Sequence, residues 1–301
     1  MKLTILGCHS ATPNIHVKPT SQVLEINNHI FLIDCGEGTQ VEMRRHKVKF
    51  VRIKHIFISH LHGDHYFGLI GLISTFRLLT RTADLHIYGP KGLKEVILLQ
   101  MKLANSWTNF QLIFHELNSD DSELIFEDDK VEVRTLPLDH RIYTNGFLFK
   151  EKPGNRKLNM GAVLNAQIDV AYYRKLQQGA DVPNKQGKLI ANWTVTKDPI
   201  PPKSYAFCSD TAYNENIIRY IETCDVLYHE STFLEQHASL AAPTKHSTAK
   251  EAALIAKKAN VGTLVLGHYS TRYHDLNQFK LEAQSVFQNV ELALEGKVFE
   301  F

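Results

Sequence analysis

The sequence predicts an α/β protein in which two halves of strands and helices flank a basic insert, and three observations carry that expectation. Short β-rich apolar runs alternate with segments of helical periodicity before residue 150 and again after residue 203. Polar clusters rich in His and Asp recur just past the C-terminal ends of the strand-like runs, and in layered α/β structures such ends converge on one edge of the sheets. Residues 150–203 differ in composition, holding ten Lys or Arg against four acids and five of the ten prolines. That balance of +6 leaves −4 for the remainder of a chain whose formal net charge is +2. A basic, Pro-punctuated insert in a mildly acidic body is a candidate polyanion-binding appendage, with a solvated loop as the alternative.

The elements follow in chain order. Lys2 to Leu6 reads as a first strand, because its apolar stretch meets Gly7 too soon for a signal peptide. Gln22 to Ile26 and His29 to Asp34 are β-rich, and Asn27-Asn28 between them suits a tight hairpin turn. Thr39 to Arg45 fits a short helix. His55 to Ser59 is an apolar strand of the buried type, followed by the polar run His60 to His65 and then by helical spacing from Tyr66 to Leu79. Leu85 to Tyr88 is strand-like, Lys91 to Ala104 is helical, and Val131 to Leu138 is a further strand ending at Asp139 and His140. After the insert come strand Tyr205 to Ser209, helix Asn214 to Glu222 and strand Val226 to Glu230. Thr248 to Ala259 is a helix with Thr248 and Glu251 at capping-box spacing. Val261 to Leu266 is an apolar strand ending at Gly267-His268, and the last 25 residues predict a helix and a closing hairpin of strands.

Composition narrows the function classes. Hydrophobic residues make up 44% and charged residues 22% of 301, as in globular proteins, and no apolar run approaches the length of a membrane span. Cys8, Cys35, Cys208 and Cys224 contain no C-x-x-C pair, which points to free thiols in a reducing cytoplasm.

Three histidines and an aspartate fall within six residues, His60-Leu61-His62-Gly63-Asp64-His65, directly after a buried-type strand. Side chains two apart on an extended chain point the same way, so His60 and His62 can grip one cation. Gly63 permits a sharp turn that directs Asp64 and His65 elsewhere, towards a second. Imidazole with carboxylate suits zinc, with manganese or iron as alternatives. Asp210 ends a strand, where a buried carboxylate needs a partner of opposite charge, or else it caps the residues after Thr211.

H-x-H-x-D-H after an apolar strand resembles the signature of the metallo-β-lactamase fold, and Asp34-Cys35-Gly36-Glu37-Gly38 resembles the D-x-G-x-G element that precedes it. Pro137-Leu138-Asp139-His140, Ser209-Asp210-Thr211 and Leu266-Gly267-His268-Tyr269 stand where that superfamily's later ligands fall. His229-Glu230-Ser231-Thr232-Phe233 and His246-Ser247-Thr248-Ala249 resemble two further motifs of ribonuclease Z, the endonuclease family that matures tRNA 3′ ends. The resemblance implies an αββα sandwich with an inserted basic arm and two zinc ions per chain at one edge of the sheets. One zinc would be held by His60, His62 and His140, the other by Asp64, His65 and His268, with Asp210 bridging both. It implies attack on the phosphodiester by a metal-activated hydroxide, with Asp64 orienting or deprotonating the water. His246, oriented by Glu230, would protonate the leaving 3′ oxygen, and the N-terminus of the following helix would favour a nearby phosphate.

In that family an arm extruded from the body grips the tRNA, and residues 150–203 lie at the matching place in an otherwise single domain spanning 1–301. Lys150, Lys152, Arg156, Lys157, Arg174 and Lys175 would then contact phosphates, making binding strongly salt-dependent. Two features depart from the family. Pro153-Gly154 resembles the start of the bacterial arm, but Ile168-Asp169-Val170-Ala171 stands where a second Gly-Pro element is expected. The stretch Pro13 to Thr20 lacks the Arg-Asn pair of the loop that rejects tRNAs bearing CCA, so CCA rejection does not follow from the sequence. The partners implied are precursor tRNA and a second copy of the chain in a homodimer, in the cytoplasm and away from membranes. The rival readings are another binuclear hydrolase of this fold acting on small phosphodiesters, esters or thioesters, and a catalytically silent nucleic-acid-binding protein. Lost ligands would mark the last, and all seven candidate positions are filled.

Overall fold

A strand buried on both faces carries apolar side chains in both directions, and His29–Ile33 does so: Phe31 and Ile33 enter one core while Ile30 and Leu32 enter another. The computed structural model describes residues 1–301. It contains two seven-stranded sheets. The first runs in the order Val298–Glu300, Lys2–Gly7, Ser21–Ile26, His29–Ile33, His55–Phe57, Leu85–Pro90, Leu112–Leu117. The second runs Val290–Leu292, Thr263–Gly267, Val226–Glu230, Ser204–Cys208, Asn145–Glu151, Val131–Pro137, Leu124–Glu127.

The sheets pack face to face through aromatic side chains. Phe31 meets Phe149 at 5.5 Å between ring centres and Phe57 meets Phe147 at 5.4 Å, each pair joining one sheet to the other. Helices Gly68–Leu78 and Leu93–Leu103 cover the outer face of the first sheet with Leu69, Leu72, Phe76, Leu93 and Ile97. Helices Ala249–Lys258 and Asn277–Gln284 pack Ala252, Ile255, Ala256 and Phe279 into the core that holds the second sheet. The result is the αββα layering of the metallo-β-lactamase fold. Four consecutive strands of each sheet run parallel, from His29–Ile33 to Leu112–Leu117 in the first and from Ser204–Cys208 to Val290–Leu292 in the second. Asp34, His60, Asp210 and His268 follow the C-terminal ends of strands in these parallel runs, and Glu230 is the last residue of another.

The capping box at Thr248 is present, with Glu251 N donating to the Thr248 hydroxyl and Thr248 N donating to the Glu251 carboxylate. The helical run from Tyr66 to Leu79 is divided into Gly63–Tyr66 and Gly68–Leu78, and Asn214 to Glu222 is a 3-10 turn followed by the short helix Ile218–Ile221. The closing hairpin is absent. Val290–Leu292 adds to the second sheet parallel to Thr263–Gly267, and Val298–Glu300 adds to the first sheet antiparallel to Lys2–Gly7. The residues between them cross from sheet to sheet, held by Gly296 N donating to Ile5 O and Ile5 N donating to Lys297 O. Each of these three-residue strands becomes an edge of its sheet, and so short an edge offers little for further pairing.

The chain divides into two compact units, 1–150 with 203–301, and 151–202. The second unit has its own small core of Val163, Ile168, Leu176, Val182 and Val195. Within it Arg156 is committed internally, its Nε 2.7 Å from Thr196 Oγ1 and its Nη1 2.5 Å from Asp198 Oδ1. All four cysteines are free and buried, and no helix is long and apolar enough to cross a membrane.

Candidate active site

Seven of the side chains nominated by the sequence converge at one edge of the sandwich. His60 and His62 follow strand His55–Phe57, Asp64 and His65 lie on the one-turn helix Gly63–Tyr66, and His140, Asp210 and His268 follow strands Val131–Pro137, Ser204–Cys208 and Thr263–Gly267. They form two donor sets. In the first, His60 Nε2 lies 3.0 Å from His62 Nδ1 and 3.5 Å from Asp210 Oδ2, and His140 Nε2 lies 3.3 Å from His62 Nδ1 and 3.8 Å from Asp210 Oδ2. In the second, His65 Nε2 lies 3.3 Å from both Asp64 Oδ2 and Asp210 Oδ1, and His268 Nε2 lies 3.4 and 3.2 Å from the same two oxygens. Asp210 therefore presents one carboxylate oxygen to each set.

These separations fit a cation. Four ligands at about 2.0–2.1 Å from a tetrahedral zinc stand roughly 3.3–3.4 Å from one another. His65 Nε2 is buried and has no hydrogen-bond partner, which a coordinated metal would resolve. Burial, reinforced by neighbouring imidazoles, pushes His62 down to about 4. Burial likewise brings His140 to about 4, so both rings are neutral with a lone pair available at neutral pH. Burial would raise Asp64 and Asp210, but the surrounding histidines outweigh it and hold both well below the ordinary carboxylate range. Burial would also lower His65, yet Asp64, Asp210 and Asp34 together outweigh it and draw a proton onto the ring. A cation offsets the same surplus of negative charge.

The outer ring nitrogens are anchored, which fixes how the inner ones point. Asp34 Oδ2 accepts from His65 Nδ1 at 2.7 Å, while Asp34 Oδ1 accepts from Ser59 N at 2.7 Å. The Ser59 hydroxyl donates to Asp34 Oδ2 at 2.9 Å and stands 3.0 Å from His60 Nδ1. His140 Nδ1 donates to the Lys245 carbonyl at 2.9 Å, and His268 Nδ1 lies 2.9 Å from the Thr232 hydroxyl. The sequence alone assigns no role to Asp34, Ser59, Thr232 or the Lys245 carbonyl. Two of them nevertheless lie inside recognisable motifs, Asp34 in the D-x-G-x-G element and Thr232 in His229-Glu230-Ser231-Thr232.

Beside the second set, His246 Nδ1 lies 2.8 Å from Glu230 Oε1, and the His246 ring stacks on His268 at 5.4 Å between centres. Burial would lower His246, but the Glu230 carboxylate outweighs it and raises the ring to about 9, so it carries a proton at neutral pH. Burial would raise Glu230 itself, and the charge and hydrogen bond of His246 bring it down. His62, Asp64, Asp210, His246 and His268 line a common cavity together with Arg141, the one Lys or Arg in that lining. The helix after His246 offers no amide to a phosphate. Its first three N–H groups, on Ala249, Lys250 and Glu251, are committed to Phe233 O, Glu282 Oε1 and Thr248 Oγ1. The expected anion site at that helix end is therefore corrected.

Of the basic residues nominated in the insert, Lys157, Arg174 and Lys175 are exposed within the second unit, while Lys150 is exposed at the end of strand Asn145–Glu151. Lys152 and Arg156 are half-buried, and Arg156 is engaged as described above.

Known proteins share this constellation's frame. Ribonuclease Z of Bacteroides fragilis is 44% identical over 295 residues, covering 98% of this chain and 97% of its own. The chain belongs to the ribonuclease Z family. The crystal structure of human tRNase Z, short form, superposes with a TM-score of 0.74 at 28% identity, covering 100% of this chain and 99% of that one. The metallo-β-lactamase fold protein YhfI of Bacillus subtilis superposes at 0.69 with 19% identity, covering 99% of both chains, a likeness of fold. Residues 1–163 match, and so also fall within, the family described as Anti-Pycsar protein Apyc1. That match spans His60 to His140 but stops short of Asp210, Glu230, His246 and His268. The ribonuclease Z relatives span all of them.

Proposed function

We propose that the chain is the endoribonuclease that removes the 3′ trailer from precursor tRNA, leaving a 3′-hydroxyl on the tRNA, with two zinc ions bound per chain. The observation that carries this reading is the joint presence of two donor sets sharing Asp210 and an imidazolium at His246 backed by buried Glu230. His60, His62, His140 and Asp210 would hold one ion, and Asp64, His65, His268 and Asp210 the other. When bound, such ions bring the pKa of water towards neutrality and offset charge on phosphoryl oxygens. Asp64 keeps Oδ2 as an acceptor against His65 and His268, which suits it to orient the attacking water. His246 would deliver its ring proton to the leaving 3′ oxygen, and Glu230 keeps that proton in place until it is needed.

The inserted unit supplies the rest of the substrate reading. Lys150, Lys152, Lys157, Arg174 and Lys175 would meet tRNA phosphates, with Arg156 holding the unit together instead. The protein would act in the cytoplasm, as its free thiols suit, and as a homodimer in keeping with the family resemblance. One rival is a hydrolase of small phosphodiesters, esters or thioesters on the same frame, which the same two donor sets would also serve. Incubation with a 3′-extended precursor tRNA, with mapped cleavage ends, separates the two. Cleavage next to the discriminator nucleotide supports the ribonuclease reading, and turnover of small esters alone refutes it.

A further inference from the structure

Thr232 is buried between the Glu230–His246 pair and the second donor set, and its hydroxyl touches all three side chains. Oγ1 lies 2.7 Å from Glu230 Oε2, 2.9 Å from His268 Nδ1 and 3.2 Å from His246 Nδ1. A hydroxyl has one proton to donate and two lone pairs with which to accept. Glu230 is a fully buried carboxylate that accepts from Thr211 N at 3.1 Å, Thr232 N at 2.9 Å and His246 Nδ1 at 2.8 Å. A carboxylate so surrounded by donors is ionised and can only accept. The Thr232 proton is therefore directed to Glu230 Oε2, leaving an oxygen lone pair towards His268.

The direction of that one bond has a consequence across the site. His268 Nδ1 must be the donor to Thr232, so Nε2 is the nitrogen left to ligate, and it faces Asp64 Oδ2 at 3.4 Å and Asp210 Oδ1 at 3.2 Å. A lone pair set against two carboxylate oxygens is repulsive by itself and becomes favourable with a cation among them. The backbone of His268 is held in the left-handed region at φ +59, so the ring's position is set by its surroundings rather than by relaxed local geometry.

We propose that Thr232 is a positioning residue that ties the Glu230 carboxylate to the second cation site by holding the His268 proton on Nδ1. The proton-donor pair and one of the two metal sites thereby share a single hydroxyl. The first donor set, His60, His62 and His140, has no bond to Thr232 and serves as an internal control. The inference rests on the metal reading of the donor sets.

The test is zinc titration of the metal-free full-length protein, wild type against Thr232→Val and Thr232→Ser, with thermal unfolding as a check on folding. The expected result is two zinc equivalents in the wild type, a second equivalent weakened about 10–100-fold in the valine variant with the first unchanged, and recovery in the serine variant. In the zinc-loaded wild type and serine variant, ¹⁵N NMR should show a His268 Nδ1–H protected from solvent exchange, and the valine variant should lose that protection. Two zincs held by Thr232→Val with wild-type affinity overturn the positioning role while leaving the metal reading intact. A wild type that takes up fewer than two overturns both. If the valine variant does not fold, a serine variant that lacks the second zinc or the protected proton overturns the positioning role by itself.

Discussion

Glu230 Oε1 lies 2.8 Å from His246 Nδ1, and the carboxylate is fully buried while the ring reaches the cavity beside the two donor sets. The pairing raises His246 to about 9 against the opposing effect of burial, so the ring holds its proton through neutral pH. As a proton donor it is competent below that value and loses competence as pH rises through it. The rate of precursor cleavage at saturation should therefore fall on the alkaline side with a midpoint near 9. Glu230→Gln removes the charge that raises the ring, and the midpoint should move down towards the ordinary histidine value of about 6.5. His246→Ala should cost about 10²–10⁴-fold in rate with both zincs retained. Loss of zinc from that variant would contradict its role as proton donor.

Asp210 is the one side chain common to both donor sets, with Oδ2 on the His60 side and Oδ1 on the His268 side. Asp210→Asn keeps the shape but replaces one anionic oxygen by an amide that donates. It should lower the zinc content measured by elemental analysis at both sites. His62→Ala should remove zinc from the first set alone, since His62 belongs to that set and not to the second. Equal loss in the two variants would argue that the sets are not separate sites.

How much of this was legible in the sequence depends on the range over which each interaction acts. Strand Val226–Glu230 and the Thr248 capping box were readable because a short apolar run and a three-residue spacing are local signals. Strands Leu112–Leu117 and Asn145–Glu151 were not, because polar residues interrupt their pattern and they pair with Leu85–Pro90 and Ser204–Cys208, distant in the chain, and Leu124–Glu127 is only four residues long. The two final strands read as a hairpin because proximity favours pairing, and only their pairing with two separate sheets decides otherwise. The same limit applies at the site. The donor cluster at His60 to His65 is visible as a motif, whereas Asp34 meets His65 across 31 positions and Thr232 meets His268 across 36.

Asp34 illustrates what such a long-range interaction does. It is fully buried at φ +55, a backbone region that Asp and Asn tolerate better than other side chains, and it holds His65 and Ser59 at once. Asp34→Asn is the informative change, because it keeps the backbone conformation while removing the anionic partner of His65 Nδ1. Zinc affinity at the second site should fall by about 10–100-fold. The pH at which that zinc is released should rise, as measured by chelator competition. Unchanged affinity would show that the ring is held by packing alone.

Arg141 follows His140 directly and is the sole arginine in the lining of the cavity beside the two donor sets. Its neighbour Lys245 is tied to Asp139 at 2.6 Å, which leaves Arg141 as the exposed cation there for a phosphate. Arg141→Ala should raise the KM for precursor tRNA more than it lowers the maximal rate, with zinc content unchanged. Arg141→Lys should recover part of the loss by charge but not the two-pronged geometry. A purely kcat effect would point to a role in the chemical step instead.

The register of the second sheet makes the inserted unit removable. Lys150 is the cross-strand partner of Ser204, so the chain ends left by excising residues 151–203 already sit opposite each other on adjacent antiparallel strands. A two-residue Asn-Gly turn joins strands in that relation. The excised unit carries its own core of Val163, Ile168, Leu176, Val182 and Val195, so its removal does not empty the cores of the body. The shortened protein should fold, bind two zincs and hydrolyse bis(p-nitrophenyl) phosphate, yet fail to cleave precursor tRNA. In the intact protein, affinity for precursor tRNA should fall steeply with salt. Substituting Lys157, Arg174 and Lys175 together should flatten that slope by about one unit for each phosphate no longer neutralised. Retained tRNA cleavage after excision would place the RNA-binding surface on the body. Equal impairment on both substrates would show that the unit supports the active site itself.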